Sequence, residues 1–458
     1  MGETTQNSDK AVPVGKIFLA ALAIRWAYDL ILFAAMGEAG LTGPDSRFFL
    51  TLGDRMVDGV HSGAIHGWGW LGLEPHIMPL VTWAFAACVL LFGKMAPLGY
   101  VMLQGIFDAC TCVLVCGMAN SIAPRFALPA GVAAAVNPTQ IVLSGIVYTD
   151  TPFVFLCALS LLASMQWLRS PSWGSSWLIG LSIGLAAMIR VLIVPWAVFL
   201  GFFLLAAQAI RGGLRIRQLG QVMLIGAITG TIVGPVLARN VTQFGAWALT
   251  PQAGAYVAYW LVPLVRETKT GEVWSQGVAD MQKRARDRYG EQPSNPFQSA
   301  RQLSEIGLET LIELGPAAIA KAWMFGAAIN LGAPAIIISP PIFSLPRTGF
   351  YDTPGDTRIA KIMNFVYRSG NSIYLLALLA GAMGVIIVRL IQTVGLVSLL
   401  KTPGSIVPLL LFGAWLGFIL VLDGPIASPK YRLPIEPPLM VCAGAGLCTL
   451  REHWRSRA

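Results

Sequence analysis

The chain has 458 residues, 55% of them hydrophobic and only 12% charged, with a net charge of +9. A water-soluble domain carries roughly 25% charged residues; half that, with a mean hydropathy of +0.66, leaves too little polar surface for water and places the chain in a bilayer. Nucleic acid is excluded as a partner, because the bases lie mostly in short loops between apolar runs, as the positive-inside rule expects of a membrane protein.

The opening residues are polar, and the first apolar run, Val14 to Met36, ends without an A-x-A-like cleavage site. It is read as a retained span, not a signal peptide. Arg25 and Asp29 stand one helical turn apart within it and can neutralise each other. Residues 37 to 76 form a polar, Gly-rich loop opened by Gly43-Pro44-Asp45-Ser46-Arg47-Phe48-Phe49. Asp45 is placed to cap a helix from Ser46 to about Gly59, whose stripe of Phe48, Phe49, Leu52, Met56 and Val60 predicts that it lies on the membrane surface. Residues 77 to 92 are apolar but short for a crossing of about 20 residues, and read as interfacial or re-entrant.

Spans are predicted at 97–119, 126–148, 151–168, 174–190, 192–210 and 218–238, with a tight turn near Arg190 to Pro195. Residues 239 to 370 change character. They hold a basic cluster around Lys283 to Arg288, an amphipathic stretch from Ala300 to Leu314, and a Pro-broken apolar piece at 316–342 that reads as membrane-dipping. The last spans are at 371–392, 403–422 and 434–450, before a basic tail. With 77–92 and 316–342 not crossing, Lys10, Lys16, Arg125, Arg169, Arg211, Arg215, Arg217, Lys401 and the tail share one side. The loop 37–76 faces the other side with five acids against two arginines. This makes an all-α polytopic membrane protein of about ten spans with both termini cytoplasmic. Three regions follow: residues 1–240 with the first outer loop at 37–96, an outer or membrane-dipping region at 241–370, and 371–458.

That arrangement brings Asp45, Asp150 and Lys430-Tyr431-Arg432 to one face. Asp45 is either a helix cap or a general base whose proton affinity a nonpolar wall can raise. Asp150, in Tyr148-Thr149-Asp150-Thr151-Pro152, is either a cap or a group that binds a sugar hydroxyl or tunes that base. Arg190 is the lone charge of its apolar block, functional by default in a membrane unless it snorkels from a span end. Lys430, Tyr431 and Arg432 are ordinary interface anchors, and equally what a phosphate leaving group needs; Arg239 beside Asn240 can serve the same end. Asp108, within 97–119, can pair with Arg25 or hydrogen-bond a neighbour, a structural role either way.

The seven cysteines all lie in apolar stretches and read as small buried hydrophobes. His61, His66 and His76 share the first outer loop at spacings that fit no helical ligand pair, so no metal is expected. There is no Walker-type loop, Gly-x-Ser-x-Gly elbow or dinucleotide motif, and no cofactor is expected.

In this order, the features resemble the GT-C fold glycosyltransferases, polytopic enzymes using lipid-linked sugars that include the protein O-mannosyltransferases and the aminoarabinose transferases of lipid A. Asp45 to Leu52 looks like the acidic motif of that family's first outer loop, with Phe for the usual Tyr. Pro79 to Gly93 resembles its second juxtamembrane helix, and Asn137-Pro138 through Pro152 its second acidic motif. Gly184 to Arg190 resembles its glycine-then-arginine span, and Lys430 to Pro434 its Arg-Tyr-x-x-Pro-like element, with Lys430 replacing the Arg. The likeness covers most of 14–240 and 403–450 and thins in 241–370.

The resemblance implies a GT-C-like bundle with juxtamembrane helices in the first outer loop. It implies transfer of a hexose or pentose from a polyprenyl-phosphate donor to an acceptor hydroxyl at the periplasmic or lumenal face, with inversion. Asp45 would be the base, and Lys430, Arg432 and Arg239 would hold the departing phosphate, with Asp150, Arg190 and Tyr431 as further substrate contacts. Trp68, Trp70, Tyr256, Tyr259 and Trp260 would stack on sugars or anchor at the interface. No acidic pair marks the first loop and no large soluble domain is appended, which favours a lipid or glycan acceptor over a protein. A bacterial inner membrane is the expected location. Secondary transport, lipid flipping and nonenzymatic scaffolding are the rival functions, although the inverted repeat common in transporters is not evident.

Overall fold

A computed structural model describes residues 13–72, 74–368 and 370–457. Lys10, one of the bases used to assign sidedness, lies outside them. The described residues form helices and no strand. Eight helices are long and apolar enough to cross a membrane, or up to ten if each of two bent pairs counts as one span. The protein is an integral, multi-pass, all-α membrane protein.

The first span, α1, is Val14–Met36; α2 (Ser46–His61) and α3 (Pro79–Phe92) follow in the first loop. The stripe of α2 divides: Leu52 and Met56 are buried, whereas Phe48 and Val60 stay exposed. Phe49 stacks on Phe85 of α3 with ring centroids 5.6 Å apart. A 3-10 turn at Gly93–Met95 leads from α3 into α4 (Ala96–Ile122). Together α3 and α4 form an apolar stretch of 44 residues, too long for one upright crossing.

The single span expected over 126–148 is instead two helices, α5 (Pro124–Ala135) and α6 (Pro138–Ser144), bent by 47°. Pro138 cannot donate to α5, and Asn137 Oδ1 accepts from Thr139 N at 2.9 Å to start a new helix. Next come α7 (Asp150–Arg169), α8 (Trp173–Ala187), α9 (Val194–Gly212) and α10 (Ile216–Phe244). At 15 residues, α8 is shorter than the span expected there. A turn and a short 3-10 segment, Val191–Ile193, separate α8 from α9 at the predicted tight turn.

The region after α10 is mostly short helices joined by loops: α11 (Gln252–Tyr256), a π turn at Val257–Leu261, α12 (Val262–Thr270), α13 (Trp274–Tyr289) and α14 (Pro296–Leu314). Then follow α15 (Pro316–Gly332), bent 102° from α14, α16 (Pro340–Phe343) and α17 (Arg358–Tyr367). This region has its own apolar cluster, around Val262, Val265, Met281, Ile306 and Ala322. It also holds a buried ionic group in which Glu267 bonds Arg358 at 2.7 Å and Lys361. Burial pushes the Lys361 ammonium below its usual pKa, and the bond to Glu267 opposes that shift.

The closing spans are α18 (Ser372–Leu400), α19 (Ile406–Asp423) and α20 (Glu436–Arg455), the last preceded by a 3-10 segment, Pro429–Ile435. α18 and α20 meet backbone to backbone: a Cβ on Gly395 would lie 1.7 Å from the Cys442 carbonyl oxygen.

Arg25 does not pair with Asp29. Its Nε donates to Asp108 at 2.7 Å, and its other nitrogens reach the carbonyls of Ala134 and Ala135 where α5 ends. Where α5 breaks, the Ala135 carbonyl takes the guanidinium, and the Ala134 carbonyl accepts from both Arg25 and Asn137 N. Both Asp29 oxygens are buried without a partner among the described residues.

Candidate functional site

The loop after α1 is stitched to the loop between α6 and α7. Val147 N donates to Leu41 O at 2.8 Å, and Ser46 Oγ donates to Val147 O at 2.8 Å. Gly43 makes that approach possible, because a Cβ there would lie 2.1 Å from the Tyr148 hydroxyl oxygen. The stitching sets Asp45 beside Tyr148, Thr149 and Asp150.

Asp45 precedes α2 but makes no side-chain cap bond. Its carboxylate instead takes the Lys430 Nζ at 2.9 Å, across 385 positions of chain. The ammonium also lies 4.4 Å from the centre of the Tyr148 ring. The Asp45 side chain is 55% exposed and that of Lys430 18%, so the pair stands at a rim. Burial, and then the nearby Asp45 and Asp150 carboxylates, push the Tyr148 phenol above its ordinary pKa and hold it protonated.

Asp150 opens α7 and is buried; it accepts from Arg190 Nη2 at 2.7 Å. Arg190 Nε donates to Thr149 Oγ1 at 3.2 Å, while Nη1 makes no bond among the described residues. A protonated guanidinium held on one edge keeps its other edge available to an anion.

Asp45, Arg190, Lys430 and Tyr431 border a cavity of about 300 Å3, with Phe49, His76 and Gln252 completing its rim. Gln252 Nε2 donates to His76 O at 2.7 Å, tying α11 to the first loop. A second cavity, about 310 Å3 and almost wholly apolar, lies against the first between α3, α4, α7 and α8. Val81, Thr149 and Ile189 border both.

The segment carrying Lys430 is fixed from the region after α10. Tyr256 Oη donates to Leu422 O at 2.6 Å, Tyr351 Oη donates to Ala427 O at 2.9 Å, and Asn330 bonds Ile426 O and Ser428 N at 3.0 and 2.8 Å.

Two residues predicted at the site are turned elsewhere. Arg432 is buried and bonded to Glu436 at 2.6 Å, Thr139 at 2.7 Å and the carbonyls of Asn330 and Ala333, away from the cavity. The carbonyls exposed where α15 ends account for that turn. Arg239 donates to Leu71 O at 2.9 Å and to Asn240, bracing the loop before α3 and not lining the cavity. Asp423, not singled out from the sequence, ends α19 within electrostatic reach of Arg190 and Asp150 and keeps a buried oxygen without a partner. A carboxylate closing an apolar run was the available signal. Tyr148 and Gln252 were not expected at the site and His76 was weighed only as a metal ligand, because only the folded loops bring them together.

No protein-family model matches the chain, and no curated protein matches it in sequence. Among solved structures, the apo oligosaccharyltransferase of Archaeoglobus fulgidus superposes with a TM-score of 0.54 at 13% identity, over 98% of this chain and 52% of that one. This chain thus spans about half the length of that enzyme. ArnT from Cupriavidus metallidurans matches in its apo state and bound to undecaprenyl phosphate, with TM-scores of 0.37 and 0.38 at 15% and 14% identity, over 95% of this chain and 77% of theirs. The oligosaccharyltransferase has the GT-C fold, and this chain shares that fold.

Proposed function

We propose that the protein is an integral-membrane glycosyltransferase that moves a sugar from a polyprenyl-phosphate donor to an acceptor hydroxyl at the outer face. The observation that carries this reading is the Asp45–Lys430 pair, a base and a cation 2.9 Å apart at the rim of a cavity backed by Arg190 and abutting an apolar pocket. A soluble sugar nucleotide has no use for that second pocket, whereas a polyprenyl chain does.

In the resting protein Lys430 neutralises Asp45. A donor phosphate entering between Lys430 and Arg190 Nη1 draws the ammonium away and frees the carboxylate. Asp45 then takes the proton of the acceptor hydroxyl as its oxygen attacks the anomeric carbon. The bond from that carbon to the phosphate oxygen breaks, both electrons leave with polyprenyl phosphate, and the anomeric centre inverts. Lys430 and Arg190 stabilise the departing charge. Asp150, bonded to Arg190, holds it in place. The acceptor, a lipid-borne or glycan hydroxyl, approaches from the side of the outer region. There a hollow of about 600 Å3 presents Tyr259, Gln282, Arg286 and Tyr289, groups suited to sugar rings and hydroxyls.

The test is to incubate membranes containing the protein with radiolabelled polyprenyl-phosphate sugars. Label should move to a second membrane component with wild-type protein and stay on the donor with Asp45→Asn. Transfer unaffected by that substitution would refute the reading.

A further inference from the structure

We infer that a groove at the opposite end of the bundle is a binding site for the phosphate headgroup of an anionic phospholipid. The groove, about 440 Å3, lies where the ends of α18 and α20 meet the start of α5. Lys430 precedes α20, whereas Thr449 in the groove is thirteen residues past its first residue, roughly 20 Å along the axis. The two sites therefore occupy opposite membrane surfaces. The groove falls at the end carrying Arg125, Arg169, Lys401 and Arg451, which the positive-inside rule assigns to the inner leaflet.

Three groups give the groove its chemistry. Arg125, 54% exposed, has one long contact with Glu452 at 3.7 Å and keeps most of its guanidinium donors free. The Lys401 ammonium makes no bond among the described residues. Ser398 Oγ and Thr449 Oγ1 form a hydroxyl pair 2.9 Å apart, and Thr449 Oγ1 lies equally close to Ala445 O, so two hydroxyls share one backbone acceptor beside the cations. The helix-end carbonyls that would repel an anion are occupied: Leu399 O accepts from Thr402 N and from Ser405 Oγ. Two cations against the one carboxylate of Glu452 leave a single positive charge, matched to one phosphodiester. A zwitterionic headgroup would bring a cation of its own next to Arg125 and Lys401.

The surroundings point to a lipid source for that phosphate. α18 is the least buried span, with 6% of its apolar window covered. Ile386, Leu390, Val397 and Leu400 are 47–63% exposed along it, leading away from the groove. Acyl chains lying on that face would carry a headgroup to Lys401 and Arg125.

The experiment uses the full chain in detergent with native mass spectrometry, adding dioleoylphosphatidylglycerol, dioleoylphosphatidylcholine or inorganic phosphate. One phosphatidylglycerol should be retained over phosphatidylcholine by roughly 25-fold, each basic side chain contributing about fivefold. The Arg125→Ala/Lys401→Ala double variant should lose the preference, Ser398→Ala should weaken it, and Lys401→Arg should keep it. Arg217→Ala, which removes a like charge from a residue outside the groove, should leave it unchanged. If Arg217→Ala costs as much as Lys401→Ala, the preference is general surface charge and the site is overturned. It is equally overturned if inorganic phosphate displaces the lipid, or if phosphatidylcholine is retained as well. Should the double variant fail to fold, Ser398→Ala and Lys401→Arg still decide the matter.

Discussion

The segment before α20 supplies the base of two acid–base pairs, Asp45–Lys430 and Arg432–Glu436, that do different work. The first joins the two ends of the chain at a cavity rim, with side chains 55% and 18% exposed. The second is sealed, at 2% and 3%, and continues through Asn137, Gln140 and Asp108 to Arg25 by bonds of 2.7–3.3 Å. An exposed pair contributes little stability and can trade its partner for a ligand. A sealed chain of charges in a bilayer has nothing to trade with, and breaking it strands a charge. Two residues apart, Lys430 and Arg432 thus separate into a group that can serve chemistry and one that holds helices together.

The comparison breaks first at Asp45. Asp45→Asn should lower sugar transfer by roughly a hundred- to ten-thousand-fold, the range of a lost general base. Unfolding should shift by no more than about 1 kcal/mol, because the lost ion pair is exposed. Transfer assays with polyprenyl-phosphate sugars, alongside thermal melts in detergent, measure both. A large melting shift would mean that Asp45 is structural and the contrast is empty.

Removing one partner of the sealed chain should do the reverse. Arg432→Ala, or Glu436→Ala, should cost about 3–5 kcal/mol of stability by leaving the other charge buried. Transfer per folded molecule should change little, since Arg432 does not line the cavity. If Arg432→Ala instead left the melt unchanged and raised the donor KM, the guanidinium would have to swing out and bind phosphate.

These contrasts also mark where the sequence could be read. Hydropathy delimited α1 and α7, and the acidic loop and the Lys430 segment were legible as loops converging on one face. A charge at a span end, such as Arg190 or Asp150, has few places to go, so its neighbourhood follows from topology. A charge inside a span does not. Arg25 had Asp29 one turn away, yet it bonds Asp108 of α4 and the Ala134 and Ala135 carbonyls where α5 breaks. That break depends on Asn137 capping its own helix, a competition between local and continued hydrogen bonds that hydropathy does not register. Arg432 was misread for a like reason: the end of α15 supplies its carbonyl partners, 102 and 99 residues earlier in the chain.

A milder probe is Lys430. Lys430→Ala should raise the KM for the donor by roughly ten- to a hundredfold, the worth of one charge-assisted hydrogen bond, with Lys430→Arg recovering most of it. Steady-state kinetics at varied donor concentration separates that from a fall in kcat. A pure kcat loss with unchanged KM would move Lys430 from donor binding to tuning Asp45.

The smallest effect should come from Gly43, and it sharpens the contrast because it changes geometry without changing charge. An Ala methyl there would meet the Tyr148 hydroxyl at 2.1 Å, so the phenol must move. The phenol is the end of a side chain, whereas the added methyl of Gly395→Ala would strike the Cys442 carbonyl of the backbone. Gly43→Ala should therefore cost about 1 kcal/mol, at the low end of the overpacking range, and Gly395→Ala several times more. Tyr148 carries Lys430 on its ring face, so its displacement should still loosen the Asp45–Lys430 alignment and lower transfer by roughly tenfold at nearly native stability. The double change Gly43→Ala/Tyr148→Phe removes the nearest clashing atom but leaves the ring carbon Cζ 2.6 Å from the methyl, so it should restore transfer in part. If it does not, the ring does not set the position of Lys430.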